Sequence, residues 1–137
     1  MAGTITFSMI KPDAVQKKHV GDIISMIEAA GFTIQAMKHT QLTPEAAAKF
    51  YEVHKERPFY KDMCDFVASG PVVAMVLEKE NAVADFRKLL GATNPTEAEE
   101  GTIRKNFGES IDHNAVHGSD ADETAAVEAN FFFPEKY

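Results

Sequence analysis

Cysteine is almost missing from this chain and tryptophan is absent: Cys64 stands alone among 137 residues. A single thiol closes no internal disulfide, so no covalent framework is expected, and this cysteine usage points to a reducing, cytoplasmic setting. Long apolar runs are also missing, and none approaches the roughly 18 residues that a membrane helix requires. The stretch from Met1 to Asp13 has neither a basic start nor an apolar core, so no signal peptide is expected there. Positive charge is in deficit, with 14 Lys+Arg against 21 Asp+Glu and a net charge of −7. That imbalance repels polyanions at long range and disfavours a sequence-tolerant nucleic-acid binder. It leaves room for an anionic small molecule, because a few converging cations override net charge locally.

Common catalytic signatures are missing as well. The sequence holds no G-x-x-x-x-G-K-[ST], no G-x-G-x-x-G and no G-x-S-x-G, which removes the usual phosphate loops and the acyl-transfer elbow. His113 and His117 are four apart, the spacing of helical zinc ligands. Asn114, however, sits where H-E-x-x-H needs its glutamate, and Gly118 argues against a regular helix. No further cysteine or histidine completes a tetrahedral set.

What is present is ordinary globular material, 45% hydrophobic and 26% charged. The length suits one domain spanning residues 1–137. Such a domain buries roughly 68% of its unfolded surface and needs no staple. Thr4 to Ile10 alternates as a strand that Lys11-Pro12-Asp13 stops. Ile23, Ile24 and Ile27 mark a helix from Val20 with Gly31 as its stop, and Phe32 to Leu42 reads as a second strand. Thr43-Pro44-Glu45 opens a helix whose face carries Ala47, Phe50, Tyr51 and His54 as far as Pro58. Phe59 to Ser69 follows as another helix, with Cys64 on its buried side. Pro71 to Leu77 is apolar throughout, as expected of a strand covered on both faces. Asn81 is placed to cap a helix bearing Val83, Phe86 and Leu90. Gly91 to Asn114 is a long, weakly regular stretch with a short helix after Gly101, more often functional than idle. A short strand around Val116 and a final helix, begun by Asp120 and Glu123 at capping-box spacing, complete an α+β pattern.

The sharpest local feature runs from Asn114 to Asp120. His117 stands where a strand turns toward a helix, with Gly118 allowing close backbone approach and Ser119 and Asp120 able to hydrogen-bond nearby. Alone, such a histidine could simply fill a turn. Phosphoryl chemistry on an imidazole needs a neutral nitrogen, cations around the oxygens and exclusion of water. Arg87, Arg104 and Lys11 could supply the cations, and Thr93 and Asn114 uncharged hydrogen bonds.

These residues carry a resemblance. The segments Ile10–Asp13, Phe50-Tyr51 with Arg57-Pro58-Phe59, Ser69–Val72, Arg87–Pro95, Gly101–Arg104 and Asn114–Asp120 together resemble nucleoside diphosphate kinases in order and spacing, over essentially the whole chain. The resemblance implies a ferredoxin-like βαββαβ antiparallel sheet with additional helices and a long loop before the catalytic histidine. It implies ping-pong transfer of a γ-phosphate, typically from ATP, to a nucleoside diphosphate through a pros-phosphohistidine at His117. Lys11 would contact phosphates and ribose, Asn114 the ribose, Arg87 and Thr93 the middle phosphate, and Arg104 the transferring one. Phe59 would stack on the base, with Ile111 near its other face, a mode that tolerates any base. Tyr51 would lie beside His117 and Lys11, while Ser119 and Glu128 would support the ring from behind. Mg²⁺ is implied on the phosphate oxygens, touched by Asp120 through water, and so is a homo-oligomer, a tetramer or hexamer built from dimers. Ala14, Lys18 and Ala121 depart from the family pattern. A catalytically silent nucleotide-binding relative would share the clamp without needing the nucleophile. A protein-to-protein histidine phosphotransfer module would share the histidine without the clamp.

Overall fold

A computed structural model describes residues 3–111 and 113–137. Its strands are β1 (Ile5–Ile10), β2 (Thr33–Thr40), β3 (Val72–Glu78) and β4 (Val116–Gly118). Between them lie α1 (Pro12–Gln16), α2 (Val20–Ala29), α3 (Pro44–Phe50), α4 (Tyr60–Val67), α5 (Ala82–Leu90) and α6 (Ile103–Phe107), with α7 (Asp122–Phe132) closing the chain. The sheet order is β2-β3-β1-β4 with every neighbouring pair antiparallel, a ferredoxin-like arrangement with extra helices.

The unbroken apolar run of β3 follows from its central place. Val73, Met75 and Leu77 point to a core completed by Ile23 and Ile27 of α2 and by Phe86 and Leu90 of α5. Val72, Ala74 and Val76 point the other way, to Ala47 of α3, Cys64 and Val67 of α4, and Ala129 and Phe132 of α7. Strand periodicity thus divides one segment between two cores. Strand β1 does the same, with Phe7 and Met9 in the second core and Ile10 in the first. Pairing fixes its partners: Met9 lies opposite both Ala74 and His117.

Several element ends follow their local chemistry. The Thr43 hydroxyl accepts from the Ala46 amide at 3.0 Å and caps α3, with Pro44 in its first turn. Gly31 takes a left-handed φ of 96° after α2. Thr102 caps the short helix after Gly101 by accepting from the Lys105 amide at 3.2 Å.

Four expectations need correction. Lys11-Pro12-Asp13 ends β1 but also opens α1, because proline at a first helical position costs no hydrogen bond. Helix α3 stops at Phe50, and a 3₁₀ turn at Glu52–His54 replaces the expected run to Pro58. Asn81 precedes α5 but adopts a left-handed φ of 60° and makes no capping bond. The capping box of Asp120 and Glu123 does not form: α7 begins at Asp122, preceded by an extended Ala121. The Asp122 carboxylate instead accepts from the Gly3 amide at 3.1 Å, tying the start of α7 to the chain before β1.

Candidate active site

His117 is the middle residue of β4. Its strand is brought close to α5 by Gly118, where a Cβ would lie 2.7 Å from Leu90 Cδ1 and 3.0 Å from Phe86 Cδ2. The ring is packed among aromatics, 5.6 Å from Phe50, 6.1 Å from Phe7 and 6.3 Å from Tyr51 between centroids. His117 Nε2 lies 3.0 Å from both carboxylate oxygens of Glu128 on α7. Ser119, fully buried, donates its hydroxyl to Glu128 Oε1 at 2.6 Å and accepts from the Phe7 amide at 3.3 Å. A carboxylate only accepts, so the proton of a neutral ring sits on Nε2 and the lone pair on Nδ1.

The backbone leading to His117 is strained and firmly held. Ala115 has a φ of 74°, and the Val116 amide donates across it to the Asn114 carbonyl at 2.9 Å, forming a γ-turn. Lys11 N donates to the Ala115 carbonyl at 2.8 Å, and the buried Asp13 carboxylate accepts from the Ala115 amide at 3.1 Å. Asp13 therefore acts on the turn and not in the cleft. Asn114 accepts from Lys11 Nζ at 3.0 Å and donates to the Thr93 carbonyl at 3.2 Å, which draws the end of β1, the long loop and the histidine turn together.

Arg104 reaches the site from α6. Its Nη1 donates to the Gly91 carbonyl at 3.1 Å and its Nη2 to the Val116 carbonyl at 2.9 Å, while its buried Nε has no partner. Burial, followed by the like charge of Arg87, pulls the guanidinium down to about 10. It is therefore charged at neutral pH, but it is poorly compensated, so an anion placed there would relieve it. Burial, followed by the charge of Glu128, pushes the Tyr51 hydroxyl up, which keeps it a proton donor.

These groups open on a cleft of about 1050 Å³. Lys11, Tyr51, Phe59, Arg87, Thr93, Arg104, Ile111, Asn114, His117, Asp120 and Glu128 all line it, and Ser119 alone of the expected site residues lies behind the wall. Phe59, just before α4, and Ile111, in the long loop, are 44% and 56% exposed and present apolar surface to the cleft. Sequence reasoning missed His54, Met63, Phe66, His113 and Val127 as lining residues. Local pattern marks His54, Met63 and Phe66 only as helix-face residues and His113 only by its spacing from His117, and nothing marks Val127. His113 is stacked on Phe66 with centroids 4.2 Å apart and planes at 11°, so the two histidines at zinc spacing face different neighbours.

Comparison with known proteins bears on the family and the fold. The family model described as nucleoside diphosphate kinase matches residues 4–137. A nucleoside diphosphate kinase of Flavobacterium psychrophilum is 60% identical over 133 residues, covering 97% of this chain and 96% of its own length. One from Chlorobium limicola is 58% identical over 128 residues, covering 93% and 91%. Among solved structures, the Aquifex aeolicus nucleoside diphosphate kinase superposes with a TM-score of 0.94 at 42% identity, covering 95% of this chain and 94% of that one. The Halobacterium salinarum enzyme in complex with CDP gives a TM-score of 0.90 at 38% identity, covering 94% and 86%.

Proposed function

The chain belongs to the nucleoside diphosphate kinase family, and from that premise we propose how its residues carry phosphoryl transfer. One observation supports the reading above all: the Glu128 carboxylate engages His117 Nε2 and leaves Nδ1 as the nucleophilic nitrogen in a cleft that Lys11, Arg87 and Arg104 also line. Nδ1 attacks the γ-phosphorus of a nucleoside triphosphate. The N–P bond forms as the β–γ bridging P–O bond breaks, and the electron pair leaves with the diphosphate. The ring becomes more cationic during the attack, and Glu128, held by Ser119, offsets that charge. An incoming nucleoside diphosphate then attacks with a terminal β-phosphate oxygen, breaks the N–P bond and restores the histidine. One cleft and one clamp serve both halves.

Lys11, Arg87 and Arg104 take the phosphate charge, Thr93 and Asn114 add uncharged hydrogen bonds, and Tyr51 donates beside the reacting nitrogen. Phe59 and Ile111 hold the base by its faces. The relative solved with CDP supports a nucleoside diphosphate as the occupant of this cleft. Mg²⁺ fits the donor set only as a phosphate-bound ion: among the described residues no three His, Cys, Asp or Glu side chains converge. Asp120, exposed and lining the cleft, is the carboxylate that would meet such an ion through water. When bound, the ion would screen charge on the phosphate oxygens.

A homo-oligomer, tetramer or hexamer, and a cytoplasmic setting complete the proposal. Among the described residues no helix is long and apolar enough to cross a membrane. Light scattering tests the assembly, with a tetrameric or hexameric mass expected and a monomeric one excluding it. For the chemistry, γ-labelled Mg·ATP should leave an acid-labile label on the protein that GDP discharges. His117→Ala should take up none. Transfer by that variant at the parental rate would overturn the assignment.

A further inference from the structure

Hydrogen bonds join Glu109 and Ser110 to His113 and so define a turn. The His113 carbonyl accepts from the Glu109 amide at 2.8 Å and from the Ser110 amide at 3.3 Å, and the His113 amide donates to Ser110 Oγ at 3.1 Å. Ile111 rides on this turn and lines the large cleft. Besides Asn114, held by Lys11 and Thr93, two contacts tie these residues to the rest of the fold. On one side Glu109 pairs with Lys17, just beyond α1. On the other the His113 ring stacks on Phe66, a residue of α4. Phe59 lies immediately before the first residue of that same helix.

We propose that the His113–Phe66 stack is the positioning device that sets the gap between Ile111 and Phe59, and so governs affinity for the nucleobase. A helix is stiff over two turns, so fixing His113 to Phe66 fixes the Ile111 turn relative to Phe59. A second cavity of about 510 Å³ lies behind the stack, lined by Phe66, His113, Lys17 and Glu109, among others. Phe66 and His113 line both cavities and so form the wall between them. Without the stack, the His113 side chain faces open space on that side and the hold on Ile111 loosens. The stacked ring pair is a modest interaction, worth roughly a 2- to 13-fold change in an equilibrium. The inference rests on the proposed role of Phe59 and Ile111 in holding the base.

His113 is exposed, so replacing it leaves both cores intact. The test compares His113→Ala and His113→Phe with the parent protein in Mg·ATP-to-GDP transfer. His113→Ala should raise KM for GDP by about fivefold while kcat stays within about twofold, and His113→Phe, which keeps a stacking ring, should restore KM. An unchanged KM in His113→Ala, an equal loss in kcat, or failure of His113→Phe to rescue would each overturn the proposal. If Phe59→Ala and Ile111→Ala leave the parental KM unchanged, the base-holding reading itself fails. That result is separable from a failure of the stack alone.

Discussion

At the residue scale the account turns on which nitrogen of His117 carries a proton. In the proposed mechanism Glu128 decides it, because a carboxylate with Ser119 donating to one oxygen is a pure acceptor for Nε2–H. Glu128→Gln should therefore damage the reaction more than its small change in size suggests. An amide can donate to Nε2, which moves the ring proton to Nδ1 and blocks attack. The rate of label uptake from Mg·ATP, followed by rapid quench, should fall by about 100-fold or more, as in other histidine sites whose orienting carboxylate becomes an amide. A rate within a factor of two of the parent would show that Glu128 does not set the tautomer. His117 and the residues from Asn114 to Asp120 were legible in the sequence as a local motif. Asp13 was legible only as a turn residue, and its bond to the Ala115 amide joins positions too far apart in sequence to read. The same holds for Phe66 and His113, whose stack depends wholly on tertiary placement.

At the scale of elements, the regular strands and helices were readable because periodicity announces them. The alternation of β1, the unbroken apolar run of β3 and the Thr43-Pro44 cap all correspond to observed features. What misled was capping chemistry without its context. Asp120 and Glu123 have the spacing of a capping box, but β4 delivers the chain to α7 through an extended Ala121, so the helix starts later. Helix α1 escaped notice because five residues are too few for a periodic signal. Strand β1 also carries a cost that the sequence pattern hides. Thr6 and Ser8 are fully buried, and neither side-chain oxygen has a partner. Thr6 lies opposite Leu77, on the face of the first core. Thr6→Val keeps the branched shape and removes an unpaired hydroxyl, so stability should rise by about 1 kcal/mol. Urea unfolding should show a higher midpoint at unchanged slope, whereas a lower midpoint would show that the hydroxyl is satisfied in solution.

The whole molecule reconciles an acidic surface with an anionic ligand. Its net charge is −7, yet Lys11, Arg87 and Arg104 line one cleft, and the least solvated of them, Arg104, is depressed by burial and by Arg87. Tyr51 shifts in the opposite direction and contributes to the stability of the fold at alkaline pH. Its hydroxyl is raised above the ordinary 10.0, by burial first and then by Glu128. Below pH 10.0 the group is protonated in both folded and unfolded chains, and its contribution is fully present. As pH rises further, the unfolded chain ionises it while the fold does not, so that stability is lost. Tyr51→Phe should flatten the decline of the urea midpoint above pH 10.0, and an unchanged slope there would contradict the buried-hydroxyl account. All of this surrounds one claim, that phosphate passes through Nδ1 of His117. Phosphorus and proton NMR of the protein treated with Mg·ATP would test it most directly. The account predicts a single phosphohistidine bonded through Nδ1, absent in His117→Ala and removed by GDP. An adduct on Nε2, on another residue, or no adduct at all would contradict it.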